Sequence, residues 1–165
     1  MNLSSETINS GKKANKTGKT LEVFVERLLQ DNGYQYLETP DKKQCFTNRK
    51  TIEGKKYSTQ VPCGKSIYET YRKCDFIVMN KDKFKNCLII ECKWQQSSGS
   101  VDEKYPFTVL NIFKIKVPTI ILLDGGGYKK GAMEWLKSQV IISGYLIGVY
   151  TMQEFTKKVN NGFLG

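Results

Sequence analysis

Apolar residues recur along the chain at two spacings, and each change of spacing marks where one kind of element gives way to another. From Thr20 to about Asn32, TLEVFVERLLQDN has apolar residues at Leu21, Phe24, Val25, Leu28 and Leu29. Steps of three and four predict a helix with one buried stripe, ended at Gly33. Glu22 lies on the flank of that stripe and Glu26 one turn later. Over residues 34–73, YQYLETP, QCFTNRK, KKYSTQVP and SIYETYRK suggest strands or hairpins, with loops at Pro40, Glu53-Gly54 and Cys63-Gly64. CDFIVM and CLIIEC then form two short apolar strands around the polar turn NKDKFKN. After the loop QQSSGS, VDEKYPFTVLNIFKIK predicts a helix interrupted near Pro106, with Val109, Leu110, Ile112 and Phe113 buried. VPTIILLDGGG is a buried strand running into a glycine turn. KKGAMEWLKSQV is an amphipathic helix with Ala132, Met133, Trp135, Leu136 and Val140 toward the core. YLIGVYT and MQEFTKKV give a last strand and a short last helix. An early meander followed by alternating strand and helix indicates an α/β fold with a mixed sheet.

The central hairpin brings chemistry with it. If it is symmetric about Lys83, Phe76 faces Ile90, Ile77 faces Ile89 and Asp75 faces Glu91. Opposed Cβ atoms in such a pair are ~4.5–5.5 Å apart. Alternation puts Glu91, Lys93 and Gln95 on one face and Cys92 and Trp94 on the other. Two carboxylates, an ammonium and an amide therefore gather where the apolar strands end. Charge in such a place is costly unless it is paired or binds a cation. Two adjacent carboxylates repel, and a hard divalent ion with a preference for oxygen ligands removes that conflict. The competing reading is a structural Lys93–Glu91–Asp75 ion-pair network at a sheet edge.

Charge narrows the partners. The chain has 165 residues, the size of one compact domain. Its 26 Lys and Arg against 16 Asp and Glu give a net charge of +10, which favours a polyanion. Residues 1–17 predict a flexible basic arm in which Lys12, Lys13 and Lys16 could follow a phosphate backbone. NKTGKT is not a P-loop, because Lys13 stands where its first glycine would fall. The 41–73 region is a candidate DNA-contacting segment, with Arg49, Lys50, Lys55, Lys56, Arg72 and Lys73 interleaved with Tyr57, Tyr68 and Tyr71. An edge hairpin kept soluble by lysines competes with it. There is no histidine, and the five cysteines include no CxxC pair. A zinc site and a histidine base are both disfavoured. Reduced thiols, the lack of a hydrophobic leader and no apolar run long enough to span a bilayer predict a soluble cytoplasmic protein.

A helix bearing a glutamate, a strand bearing Asp, a hairpin and a strand bearing Glu-x-Lys together resemble the PD-(D/E)xK nuclease superfamily. That group includes many restriction endonucleases and archaeal-type Holliday junction resolvases. The match is carried by Cys74-Asp75, by Glu91-Cys92-Lys93 and by Gln95 in ECKWQ. GKTLEVFVERLL supplies the helix acid as Glu22, with Glu26 as second choice, and WQQSSGSVDEKYPF resembles the segment that follows Glu-x-Lys in restriction enzymes. The likeness runs from Lys19 to Ile142 and departs from the motif at Cys74, where proline is usual.

The resemblance implies a restriction-endonuclease-like core, a mixed β-sheet flanked by helices, as a single nuclease domain over 18–165. It implies Mg²⁺, with Mn²⁺ as a substitute, held by Asp75, Glu91 and the Cys92 backbone carbonyl, with Glu22 assisting. Lys93 would orient the attacking water and Gln95 would position water or phosphate. Lys19 joins the basic residues expected to contact DNA. The expected activity is endonucleolytic hydrolysis of DNA, leaving a 5′-phosphate and a 3′-hydroxyl, most simply as a type II restriction endonuclease of prokaryotic or phage origin. A structure-selective nuclease of the Holliday-junction type and a non-catalytic nucleic-acid-binding module are the alternatives. One catalytic cluster per chain implies a homodimer, or two successive nicks, for cutting both strands, and no membrane partner.

Overall fold

The computed structural model describes residues 19–99 and 101–165. The basic arm with Lys12, Lys13 and Lys16 lies outside the described residues. Helix α1 covers 19–31, and Gly33, at a φ of 81°, turns the chain out of it. Strand β1 (Gln35–Tyr36) pairs parallel with the start of β2 (Lys56–Lys65), and β2 runs antiparallel to β3 (Tyr71–Met79). Strand β4 (Leu88–Trp94) closes the hairpin, with Phe76 opposite Ile90 and Ile77 opposite Ile89, the register expected from the sequence. Parallel strands β5 (Thr119–Asp124) and β6 (Leu146–Tyr150) follow, reached through helices α3 (Tyr105–Ile115) and α4 (Lys130–Ser143). The sheet order is β1-β2-β3-β4-β5-β6, and α5 (Met152–Asn160) comes last.

Period-two alternation in the central strands sends side chains to both sheet faces, and both are covered. Phe76, Val78, Leu88, Ile90, Ile120 and Leu122 pack with Leu21, Val25 and Leu29 of α1 and Phe155 and Val159 of α5. On the opposite face, Ile121 and Leu123 meet Val109 and Ile112 of α3 and Met133 and Leu136 of α4. This is a three-layer α/β arrangement around a mixed sheet, compatible with a restriction-endonuclease-like core.

Four local expectations change. QCFTNRK does not form a strand: Lys42–Thr47 is a short helix, α2, whose N-cap Asp41 accepts the Lys43 N–H at 2.9 Å and which buries Cys45. Cys63-Gly64 lies inside β2, where Gly64 (φ 99°) accommodates a shift of register rather than a loop. Pro106 does not interrupt α3, because it sits in the first turn, where its missing N–H has no helical partner to lose. Leu110 and Trp135 are exposed; in α3 the inward positions fall to Tyr105 and Asn111. No helix among the described residues is long and apolar enough to cross a membrane.

Candidate active site

The hairpin ladder ends at Phe76↔Ile90, and the next residue on each strand is an acid. Asp75 continues the ladder with its side chain, since its Oδ2 accepts the Cys92 N–H at 2.8 Å. Gln60, in the left-handed region at a φ of 52°, donates from Nε2 to the other oxygen at 3.2 Å. The carboxylate is thus fixed by a backbone amide and an amide side chain at the point where the strands part.

Glu91 and Lys93 lie two positions apart on β4 and meet. Lys93 Nζ is 3.1 Å from Glu91 Oε2 and 3.9 Å from Asp75 Oδ2, so one ammonium stands between both carboxylates. Burial alone would discharge it, but Glu91 and then Asp75 outweigh that, and its pKa rises above the ordinary lysine value. Glu91 is only 4% exposed and has a second cation, the Arg72 guanidinium, with Nη2 2.6 Å from Oε1. Arg72, expected among the DNA contacts, is therefore an ion-pair partner of the candidate ligand. No sequence pattern marked that pair, because 19 positions separate its members.

Helix α1 brings Glu22 within electrostatic reach. Burial first and the charge of Asp75 second push its carboxyl pKa up, while Lys19 and Lys93 pull it down. Glu26, the second choice for the helix acid, is engaged elsewhere and accepts the Tyr57 hydroxyl at 2.8 Å. Gln95 is buried and its amide is engaged by neutral partners. Its Oε1 accepts the Tyr105 hydroxyl, and its Nε2 donates to Ser97 O at 3.3 Å and Gly127 O at 3.4 Å. The β5–α4 turn passes so close that a Cβ on Gly125 would lie 2.4 Å from Gln95 O, which explains the glycines there.

Glu91, Cys92 and Lys93 line a cleft of about 490 Å³ together with Arg72, Lys73, Lys104, Trp94 and Phe107 among others. Lys104 was absent from the sequence-based candidates; it lies in the short 3₁₀ turn Asp102–Lys104 before α3. Other basic candidates are committed to partners outside the cleft lining. Arg49 donates to Phe46 O at 2.6 Å, Lys55 to Asn32 O at 3.1 Å and Lys56 to Gln35 Oε1 at 2.5 Å. Tyr57 is core. Lys19, Lys50 and Lys73 remain exposed.

Among the described residues, no three acidic or thiol side chains stand together at metal-binding separation. The donors that do converge are carboxylate oxygens, hard ligands that suit Mg²⁺ or Mn²⁺, and a cation already occupies the point between Asp75 and Glu91. Mg²⁺ is commonly held by only one or two carboxylates together with waters and substrate phosphate oxygens, so the residues fit such an ion.

A family model described as a PD-(D/E)XK nuclease superfamily domain matches residues 13–163. No curated protein and no solved structure matches the chain.

Proposed function

The chain belongs to the PD-(D/E)XK nuclease superfamily, and from that premise we propose that it is a divalent-metal-dependent DNA endonuclease of the type II restriction kind. The observation that carries the reading is the Lys93 ammonium between the Asp75 and Glu91 carboxylates, with Lys93 and Glu91 lining a cationic cleft. Asp75, Glu91 and the Cys92 carbonyl would hold Mg²⁺ or Mn²⁺, with Glu22 assisting. When bound, such a metal lowers the pKa of a water and offsets charge on a phosphoryl oxygen.

The chain's own groups divide the remaining work. Lys93 is kept charged by its two acids, so it acts as a cation rather than a base, aligning the water and stabilising charge that grows on the scissile phosphate. Arg72, Lys73 and Lys104 receive the phosphates that enter the cleft. Gln95 acts through the residues it pins, holding Tyr105 and the Gly127 turn under the end of β4. The nuclease domain spans 18–165, and two copies cut the two strands of a duplex. A structure-selective nuclease is the second reading, favoured by the exposed Tyr68 stacked on Phe107 at the cleft.

Supercoiled plasmid tests the proposal. In Mg²⁺ the protein converts it to nicked and linear forms; with EDTA it does not, and Lys93→Ala lowers the rate about 100-fold or more. Discrete fragments identify a restriction enzyme, and cutting confined to branched DNA identifies the second reading. DNA binding without cleavage in either Mg²⁺ or Mn²⁺ overturns the enzymatic assignment.

A further inference from the structure

The turn between β2 and β3 is fastened at both ends. Ser66 N donates to Thr70 O at 2.8 Å, the Ser66 and Thr70 hydroxyls are 2.7 Å apart, and Tyr68 N donates to Ser66 Oγ at 3.1 Å. From α3, the buried Asn111 accepts the Ile67 N–H at 2.8 Å, and Lys114 Nζ donates to Ser66 O at 2.8 Å. Glu69 adopts the left-handed region at a φ of 60° and pairs with Lys114 and Lys65. Yet the tip buries little: Tyr68 is 72% exposed. A large amphipathic ring held on a rigid frame in water has already given up the freedom that binding would cost, which is the property of a contact residue.

Position says what it contacts. Tyr68 stacks on Phe107 with centroids 5.2 Å apart and planes at 24°, and Phe107 lines the cleft that contains Glu91 and Lys93. Lys73 and Lys104 line the same cleft and supply charge for phosphates. The neighbouring Tyr71 is also exposed, but Lys65 already lies over its ring, 5.7 Å from the centroid. Tyr68 is therefore the available π-face. A paired, stacked base offers only its edge to a protein; an unpaired base offers its face, and stacking on an aromatic side chain tolerates any sequence.

We propose that Tyr68, backed by Phe107, is a stacking platform for an unpaired nucleobase of the strand entering the cleft. The substrate class is then DNA with single-stranded character beside the cut, as a fork, flap, overhang or branch, which is the structure-selective reading of the site rather than the restriction one. This inference rests on the nuclease reading for the chemistry but not for the binding.

Binding in EDTA tests it, using the full chain with a forked and a blunt duplex of equal length and 2-aminopurine at the unpaired position of the fork. The wild type prefers the fork and quenches the probe. Tyr68→Ala and Tyr68→Leu weaken fork binding about 5- to 150-fold and abolish the quenching, while Tyr68→Phe retains both. Equal affinity for fork and blunt duplex, or a Tyr68→Ala loss that is the same on both, overturns the platform. Cleavage of the same duplexes separates the two claims. Fork preference without cutting in Mg²⁺ or Mn²⁺ overturns the nuclease reading and leaves the platform. Cutting that is indifferent to Tyr68 overturns the platform and leaves the nuclease.

Discussion

The two ends of the β3–β4 hairpin treat buried polarity in opposite ways. At the turn, Asn80 is 6% exposed and its partners are neutral. Its Nδ2 donates to Tyr34 Oη at 3.1 Å and Leu164 O at 3.4 Å, and its Oδ1 accepts the Asp82 N–H at 3.2 Å. Tyr34 in turn donates to Leu164 O at 2.7 Å, so this end ties the chain's last residues to the sheet. At the open end, Glu91 is buried to a similar degree but carries charge, is gripped by Arg72 and Lys93, and faces a cleft. Glu22 and Asp75 repel each other there. A neutral, satisfied amide serves the fold. Crowded like charges are costly to a fold, and they occur where chemistry uses them.

Substitutions at the two ends should therefore separate activity from stability. The largest combined effect is expected from Glu91→Gln. Mg²⁺-dependent cleavage falls about 100-fold or more. Stability falls by about 3 kcal/mol in urea unfolding, because Arg72 loses the partner that compensates its buried charge. Gly125→Ala comes next. A side chain at a φ of 104°, with its Cβ 2.4 Å from Gln95 O, should cost about 3 kcal/mol and lower cleavage in step, since it displaces the end of β4. At the neutral end, Asn80→Ala should cost about 1–3 kcal/mol by removing the acceptor of the Asp82 amide and the amide donor to Tyr34 Oη, with cleavage per folded molecule unchanged. Fork binding at Tyr68 would add a third behaviour, affinity lost without stability.

The smallest effect lies far from either end. Thr151 and Glu154 form a capping box at α5, and Lys137 sits 3.0 Å from Glu154. Burial raises the Glu154 pKa, but the Thr151 N–H and Lys137 outweigh it and hold it below the ordinary 4.5. Its contribution is complete above that value and disappears as pH falls through the lower folded one. Thr151→Ala should cost about 1 kcal/mol at pH 7, and Glu154→Gln should flatten that acid limb in melts taken from pH 6 to 3.

Much of this architecture was legible because local pattern and tertiary context agree. The hairpin register followed from two apolar runs about a polar turn: Phe76 pairs with Ile90 and Ile77 with Ile89 as expected, while the ladder ends before Asp75 and Glu91. The mixed sheet followed from the order of the elements. Helix α2 was not legible: its six residues are mostly polar, and what makes it a helix is the Asp41 cap and the burial of Cys45. The Trp135 and Leu110 positions failed because apolar periodicity marks a stripe but not its edges. At the site, Asp75, Glu91 and Lys93 could be grouped from strand alternation alone. Arg72 on Glu91, Gln95 turned toward Tyr105, and Lys104 in the cleft depend on how β2, β3 and α3 meet, which no local spacing encodes.

If the Asp75 charge serves chemistry rather than the fold, Asp75→Asn shows it most directly. An asparagine Oδ1 can still accept the Cys92 N–H, and the loss of charge relieves Glu22. The account predicts that Mg²⁺-dependent plasmid cleavage falls about 100-fold or more while the melting temperature stays the same or rises. Cleavage near the wild-type rate, or a melting temperature that drops by several degrees, would contradict it and leave a structural ion-pair network at the end of the sheet.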